Sequence, residues 1–429
     1  TDHVRLGDSR RVESLGKGAP EQVGLGGRRE IGAQAHHLGV FANLGNISEN
    51  PHIAMLMIDF YQDTVGLHVN GRARVVDFGV GGPREETPEL IRRALIAAVE
   101  SEPVSSYPLA AGLPELREAI ARWVERRFGA RLDPGIEVLP TLGSKEAIWH
   151  LAQVLVGQGS ERDLIAVTTP GYPVPERGAR FAGAQVLSIP LDPDSGWLPD
   201  FSALSPAVWA RLAVIWVNHP NNPTGAAAPQ AFYEDLAERC RRHGVVLASD
   251  EAYSEIWLDG GPPASLLQVQ DPTHVLAFHS LSKRSSMPGY RSGFVAGDPL
   301  LIAALKQVRP SVGVTPQVFV QRASIAAWDD EGHVEETRAR YRAKREILLP
   351  ALTAAGLEPV GGDATFFLWC RVPGDGDAET FAERLLGLGL VVAPGTFFGP
   401  GGEGHVRVAL VPTLEQCREA AQALGALAQ

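Results

Sequence analysis

Cysteine is scarce in this chain. Cys240, Cys370 and Cys417 lie far apart and form no CxxC pattern, so neither a disulfide framework nor a metal site is suggested, and a reducing cytoplasm fits. Long apolar runs are missing as well: pieces such as LLGLGL followed by VVA fall short of the about 18 residues that a membrane span needs. The N-terminus, TDHVRLGDSRR, has no charged-then-apolar signal pattern, and its first residue is not Met, which fits a processed or truncated start. Positive charge is in deficit, with 39 Lys and Arg against 50 Asp and Glu and a net charge of −11. That balance gives no broad footprint for nucleic acid or for an anionic membrane surface. No internal repeat is visible. What is there is a chain of 429 residues, 45% hydrophobic and 21% charged, the composition of a folded protein that works on small molecules.

Three regimes follow one another. Residues 1 to about 37 are rich in Gly, Arg and Glu without hydrophobic periodicity and read as loop or disorder. From Phe41 to Asp77 the apolar runs IAMLMI and VGLHV, split by Tyr61-Gln62-Asp63, predict a hairpin. From Asp77 onward helical segments alternate with short apolar runs, which predicts an α/β fold around a mainly parallel sheet. Thr87-Pro88-Glu89 supplies a capping hydroxyl, a proline for the first helical position and an early acid. Leu116, Ile120, Trp123 and Val124 fall on one helical face. Strands are expected at LIAVTT from Leu164, RLAVIWV from Arg211, VVLAS from Val245, HVLAF from His274 and GFVAG from Gly293. Most are apolar throughout, as buried parallel strands should be. From about Arg309 the chain reads as amphipathic helices with two or three strands, a second, smaller α+β unit.

In such sheets chemistry gathers at the carboxyl ends of the strands. After RLAVIWV comes Asn218-His219-Pro220-Asn221-Asn222-Pro223-Thr224-Gly225, a rigid turn that a plain connection would equally explain. After VVLAS comes Asp250-Glu251-Ala252-Tyr253, where the acid could merely cap a helix. After HVLAF comes HSLSKRSSMPGYRSGF, with Arg291 placed 291 − 283 = 8 positions beyond Lys283; singly, Lys283 could be a solvated loop lysine. Together these residue types offer an amine able to form a Schiff base, an acid able to hold a ring nitrogen protonated, and hydroxyls and a guanidinium able to hold a phosphate.

In order and spacing, Asn-Pro-Thr-Gly, Asp-x-x-Tyr and Ser-x-Ser-Lys with Arg resemble the fold-type I, class I/II aminotransferases, which use pyridoxal 5′-phosphate. The resemblance implies a large domain, residues 105–308, with a seven-stranded-type, mainly parallel sheet flanked by helices. It also implies a smaller α+β domain, residues 309–429, to which residues 76–104 contribute. Lys283 is implied as the Schiff-base lysine and proton carrier, Asp250 as the partner of the pyridine nitrogen, and Asn222 and Tyr253 as partners of the cofactor's phenolic oxygen. Ser280, Ser282 and Arg291 would hold the phosphate, Arg291 as a bidentate fork. The amides of Gly143, Ser144 and Lys145 at a helix start would add to that site. Tyr172 matches the ring that stacks on the pyridine, although a core tyrosine would read the same. Tyr107 matches a tyrosine that reaches the neighbouring subunit's phosphate, which implies a homodimer with shared active sites. Arg407 matches the arginine for the substrate α-carboxylate and Gly81 the glycine that lets the backbone approach substrate, with Asn222 also implied in substrate binding.

Three longer stretches, SLSKRSSMPGYRSGFVAGD, ASIAAWDDEGHVEETRARYRAKR and HVRVALVPTLEQCREAAQAL, look like the succinyldiaminopimelate aminotransferases, from about Val76 to Gln429. That resemblance implies ping-pong transfer of the amino group of glutamate to N-succinyl-2-amino-6-oxopimelate, with Arg284 a candidate for the distal carboxylates. Aspartate, aromatic or other amino acids, or cysteine-conjugate cleavage by a C–S lyase, use the same apparatus. A regulator built on the same domain would bring a DNA-binding module, and residues 1–75 show no helix-turn-helix pattern. Those residues depart from the family: Phe41 to Val76 resemble a fragment of a pyridoxamine-phosphate-oxidase-like flavin-binding split barrel, too short for a whole barrel. No flavin binding is expected there, and a fusion remnant or a gene model joined across a boundary explains the stretch as readily as function does.

Overall fold

Strands that are apolar on both faces need cover on both faces, and helices supply it here. The computed structural model describes residues 52–58 and 66–72 as strands, and residues 75–427 apart from 103, 105, 158 and 375. The loop or disorder expected for residues 1–37 lies outside the described residues. Strands β1 (His52–Ile58) and β2 (Gly66–Arg72) pair antiparallel, with His52 opposite Arg72, as the two apolar runs predict. Among the described residues they form a sheet of their own. Among the described residues they build no barrel, and the resemblance of residues 41–76 to a split-barrel fragment finds no support.

After β3 (Val76–Asp77) the central sheet takes β4 (Val138–Thr141), β5 (Leu164–Thr169), β6 (Gln185–Asp192), β7 (Leu198–Pro199), β8 (Leu212–Asn218), β9 (Val246–Asp250), β10 (Val275–Ser280) and β11 (Gly293–Gly297). Their spatial order is β4-β11-β10-β9-β8-β5-β6-β7. Strands β6, β5, β8, β9 and β10 run parallel. Strand β11 runs antiparallel to both β10 and β4, so β4 shares the direction of the parallel set. The expected seven strands are joined by an eighth, the two-residue β7, antiparallel to β6. Strands β4 and β6 escape the sequence reading for different reasons: β4 contains Pro140, and β6 is partly exposed along its length.

Two apolar layers cover this sheet. One holds Trp123, Phe294 and Trp328 with one set of strand faces, and the other holds Ile148, Trp216 and Phe278 with the opposite set. The helix Pro114–Phe128 buries Leu116, Ile120, Trp123 and Val124 as its spacing predicts. A third core gathers Val76, Phe78, Tyr253, Tyr341, Phe367 and Val406 around a four-stranded antiparallel sheet. That sheet is ordered β12 (Glu358–Pro359), β13 (Phe367–Arg371), β16 (His405–Ala409) and β15 (Ala393–Pro394), while β14 (Leu390–Val391) pairs parallel with β3. The chain between β3 and the helix Glu89–Ser101 therefore starts in the C-terminal core and ends on the central one, where Ile91 is buried. Thr87 does not cap that helix: its Oγ1 donates to the carbonyl of Ser286 at 2.7 Å, and the helix has no side-chain cap. Among the described residues no helix is long and apolar enough to cross a membrane.

Trp123 is fully buried, with Phe128, Phe294 and Trp328 at ring distances of 5.4, 6.0 and 4.6 Å. Trp123→Ala should cost about 3–5 kcal/mol and lower the guanidinium midpoint; an unchanged midpoint would remove this cluster from the account of stability.

Candidate active site

The register of the central sheet lines up the chemistry-bearing residues along one edge. Asn218 lies opposite Asp250, Asp250 opposite Phe278, Ser280 opposite Gly293, and Gly293 opposite Thr141. Each of β4, β5, β8, β9 and β10 ends at this edge, and the antiparallel β11 begins there. The turns that follow carry Gly143, Tyr172, Asn222, Tyr253 and Lys283, and Arg291 precedes β11. An open α/β sheet forms its binding crevice at this kind of edge.

Lys283 stands on the one-turn helix Leu281–Arg284, whose first amides are satisfied when Ser282 N donates to Ser280 Oγ at 3.1 Å. Its ammonium donates to the Gly81 carbonyl at 2.5 Å and lies 5.7 and 5.5 Å from the ring centres of Tyr253 and Phe366. Burial, helped by the charges of Arg407, Lys145 and Arg291 and opposed by Asp250, lowers its pKa to about 8. Burial likewise raises that of Asp250 to about 6, against the hydrogen bond from the Ala252 amide. The Tyr253 phenol is pushed upward by burial. The Tyr172 phenol is pushed upward by burial and next by the charge of Asp250. An amine after β10 and a carboxylate at the end of the neighbouring β9 thus both have their charged forms disfavoured, the condition under which either can exchange a proton near neutrality.

An anion cradle lies beside them. Gly143 has φ +71°, and a Cβ there would sit 2.6 Å from Nη2 of Arg291; only glycine lets this loop approach the guanidinium. Arg291 donates to the Leu142 carbonyl at 3.1 Å, to Pro288 O at 2.9 Å and, at 3.5 Å, to Ser282 Oγ. Ser144 and Lys145 open the helix Ser144–Leu155, which has no side-chain cap. Its first amides, the macrodipole, two hydroxyls and a guanidinium make a site for a phosphate-like dianion. Lys145 Nζ is 5.9 Å from the Tyr172 ring.

Arg407, on β16, is buried and sandwiched by Phe367 and Phe398, whose ring centres lie 4.2 and 4.6 Å from its guanidinium carbon. It donates to Asn222 Oδ1 at 2.7 Å and to the Gly79 carbonyl at 2.6 Å, while its Nε has no hydrogen-bond partner among the described residues. Burial lowers its pKa to about 10. Asn222 is fixed from behind, its amide donating to Asn218 Oδ1 at 2.9 Å, and Asn218 Nδ2 donates to Asp250 O at 2.8 Å. With its Oδ1 committed to Arg407, Asn222 keeps its Nδ2 as a donor. A Cβ on Gly81 would lie 2.8 Å from Phe367, so the glycine there brings its carbonyl against Lys283.

Two expected residues lie outside this group. Arg284 cannot line a substrate pocket: it is 1% exposed and donates to Ala327 O, Asp330 O and Glu331 Oε1 at 2.5, 3.0 and 2.7 Å. Tyr107 is fully exposed and joins none of these contacts. The sequence reading missed Phe366, Phe367 and Phe398, the apolar walls around the two cations; the doublets in TFFLW and GTFFG carried that signal.

The residues fit a planar group with an anionic arm. The cradle accepts the arm, the buried Asp250 would regain its charge beside a cationic ring atom, and Lys283 can attack an aldehyde. A family model described as aminotransferase class I and II matches residues 73–424. The chain is 40% identical to an LL-diaminopimelate aminotransferase of Nitratidesulfovibrio vulgaris (strain DSM 19637 / Miyazaki F), over 81% of this chain and 90% of that one. Among solved structures it is similar to an aminotransferase from Neisseria meningitidis Z2491, with TM-score 0.78 and 35% identity over 91% of this chain and 97% of that chain. It is also similar to a probable N-succinyldiaminopimelate aminotransferase from Thermus thermophilus, with TM-score 0.75 and 33% identity over 83% of this chain and 95% of that chain.

Reductive labelling with a small aldehyde reads the state of Lys283 directly. Because the neutral amine is the nucleophile, labelling at Lys283 should rise with pH and level off above about pH 8, well before ordinary lysines do. A profile at Lys283 that kept climbing toward 10.5 would mean that the amine is solvated.

Proposed function

The chain belongs to the class I and II aminotransferases, pyridoxal phosphate-dependent enzymes of fold type I, and on that premise we propose that it moves the amino group of a diaminopimelate-class amino acid to and from a keto acid. The observation that carries this reading is the meeting of Lys283, Asp250, Asn222, Tyr253 and Arg291 at one sheet edge, joined to 40% identity with an LL-diaminopimelate aminotransferase. The sequence reading pointed to the N-succinylated substrate. The relative in Nitratidesulfovibrio vulgaris is named for the unacylated compound, so diaminopimelate itself is the first reading, and the Thermus thermophilus structure keeps the succinylated form as the second.

Bound pyridoxal phosphate supplies an aldehyde for a lysine and a ring that takes up an electron pair. Lys283 supplies the amine and, once released, carries the proton at the substrate's α-carbon; its lowered pKa suits both tasks. Asp250 would hold the ring nitrogen's proton. Nδ2 of Asn222 and the Tyr253 hydroxyl would donate to the ring oxygen. Tyr172 would supply the stacking ring, and Arg291, Ser280, Ser282 and the amides of Gly143, Ser144 and Lys145 would hold the phosphate. Arg407, with Asn222 and Gly81 beside it, receives the substrate α-carboxylate. A second copy of the chain completes the site with Tyr107, whose full exposure here, together with Val104 and Leu109, suits a surface covered by a partner.

The test is a half-reaction. Cofactor-loaded protein is mixed in turn with LL-diaminopimelate, N-succinyl-LL-diaminopimelate, glutamate, aspartate and phenylalanine, and the absorbance of the lysine-bound cofactor is followed. Rapid loss of that band with LL-diaminopimelate and glutamate supports the first reading, and preference for the succinylated amine selects the second. Conversion by other amino acids alone discards both substrates. Lys283→Ala should abolish turnover and the lysine-bound band. Asp250→Ala should retain cofactor and lose about 10²-fold or more in rate; full activity there would place the ring nitrogen's partner elsewhere.

A further inference from the structure

One residue in the anion cradle, Leu142, is held through both of its backbone groups. The carbonyl of Leu142 accepts from Nη2 of Arg291, and its amide donates to Oε1 of Glu146, each at 3.1 Å. Glu146 is the third residue of the helix Ser144–Leu155, a position from which a carboxylate normally reaches back to the helix's own cap residue. Here it reaches one residue further, past Gly143, and so fixes the loop while leaving the helix without a side-chain cap.

A carboxylate one turn from a phosphate site should repel the ligand, and the structure neutralises it. Oε1 of Glu146 pairs with Nη2 of Arg309 at 3.0 Å, and its Oε2 lies 3.3 Å from Nδ1 of His150. Arg309 is 4% exposed, and its Nε donates to Val314 O at 3.1 Å. Its own pKa is held down by burial and supported mainly by Glu146. A guanidinium so buried needs this carboxylate as its counter-ion. Leu139 and Leu305 line a small cavity together with the pair, and the Leu142 backbone links Glu146 to the Arg291 guanidinium.

We propose that Glu146, neutralised by Arg309, is a positioning residue for the cofactor phosphate, acting through the backbone of Leu142, whose amide it accepts and whose carbonyl Arg291 holds. The inference rests on the cofactor reading above and adds to it a dependence that the phosphate alone should feel. Pyridoxal, which lacks the phosphate, can still meet Lys283 and Asp250, so the two ligands separate a local role from general damage.

The experiment is spectroscopic titration of the cofactor-stripped full chain with pyridoxal phosphate and with pyridoxal, for wild type, Glu146→Ala, Glu146→Gln and Arg309→Met. Glu146→Ala should bind pyridoxal phosphate about 10- to 100-fold more weakly, the scale of a lost charged hydrogen bond, and pyridoxal within about twofold of wild type. Glu146→Gln keeps an acceptor for Leu142 and should fall between the two. Arg309→Met leaves the carboxylate uncompensated and should also lose phosphate selectivity. Equal weakening toward both ligands, or unchanged binding of pyridoxal phosphate, overturns the proposal. A wild-type chain that develops no lysine-bound band with pyridoxal phosphate sinks the cofactor reading itself, an outcome seen before any variant is compared.

Discussion

Taking an amine, a carboxylate and a guanidinium out of water at one sheet edge is the constraint on which the rest of this structure depends. Each charge carries a solvation penalty that no single close pair offsets. Lys283 finds a carbonyl, Asp250 an amide, and Arg407 an amide oxygen and a carbonyl. The result is a convergence of proton affinities, with the lysine brought down to about 8 and the aspartate brought up to about 6. Two large apolar layers hold the sheet together against this opposition, and the aromatic residues Phe366, Phe367 and Phe398 keep water away from the cations. A ligand that carries an anionic arm and a protonatable ring would relieve the same penalties at the points where they arise.

The chain from Asp77 to Thr87 ties that edge to the C-terminal unit. Asp77 Oδ1 accepts the Gly79 amide and its Oδ2 accepts from Arg84. Glu85 pairs at 2.5 Å with Lys344, itself 1% exposed, and Thr87 bonds the Ser286 carbonyl. Between these anchors the carbonyls of Gly79 and Gly81 are delivered to Arg407 and Lys283. The segment belongs to one core at Val76 and Phe78 and to another at Ile91. A shift of the C-terminal unit would therefore move two acceptors at the two cations together.

Much of this edge was legible in the sequence because its chemistry comes from side-chain types placed just after apolar runs. Lys283, Asp250 and Asn222 follow such runs, and the register then aligns them. The runs themselves carry no direction: GFVAG reads like its neighbours, yet β11 is antiparallel, and this reversal is what brings Arg291 to the site. Arg284 was misread for a related reason. Adjacency to Lys283 suggested the pocket, but successive residues of a helical turn point apart, and Arg284 faces Ala327 and Glu331 in the interior. Thr87 looked like a cap because its neighbours fit one; the capping interaction lost to a tertiary acceptor that local sequence cannot reveal.

On the proposed reading, Arg407 explains why a carboxylate is selected over a neutral acceptor. In this structure both of its Nη atoms are already bonded, to neutral oxygens of Asn222 and Gly79, and among the described residues its Nε has no partner. A neutral ligand would merely exchange one such oxygen for another and gain little. A carboxylate brings a full negative charge into a space walled by Phe367 and Phe398, where the guanidinium's charge is poorly screened, so the exchange gains a charge-assisted pair for the loss of a neutral one. Asn222 need not move far in such an exchange, because its backbone amide is fixed by Asn218 while its side chain can turn its oxygen away and leave Nδ2 as a donor. Recognition of the carboxylate and the grip on the ring oxygen would then be coupled through one asparagine.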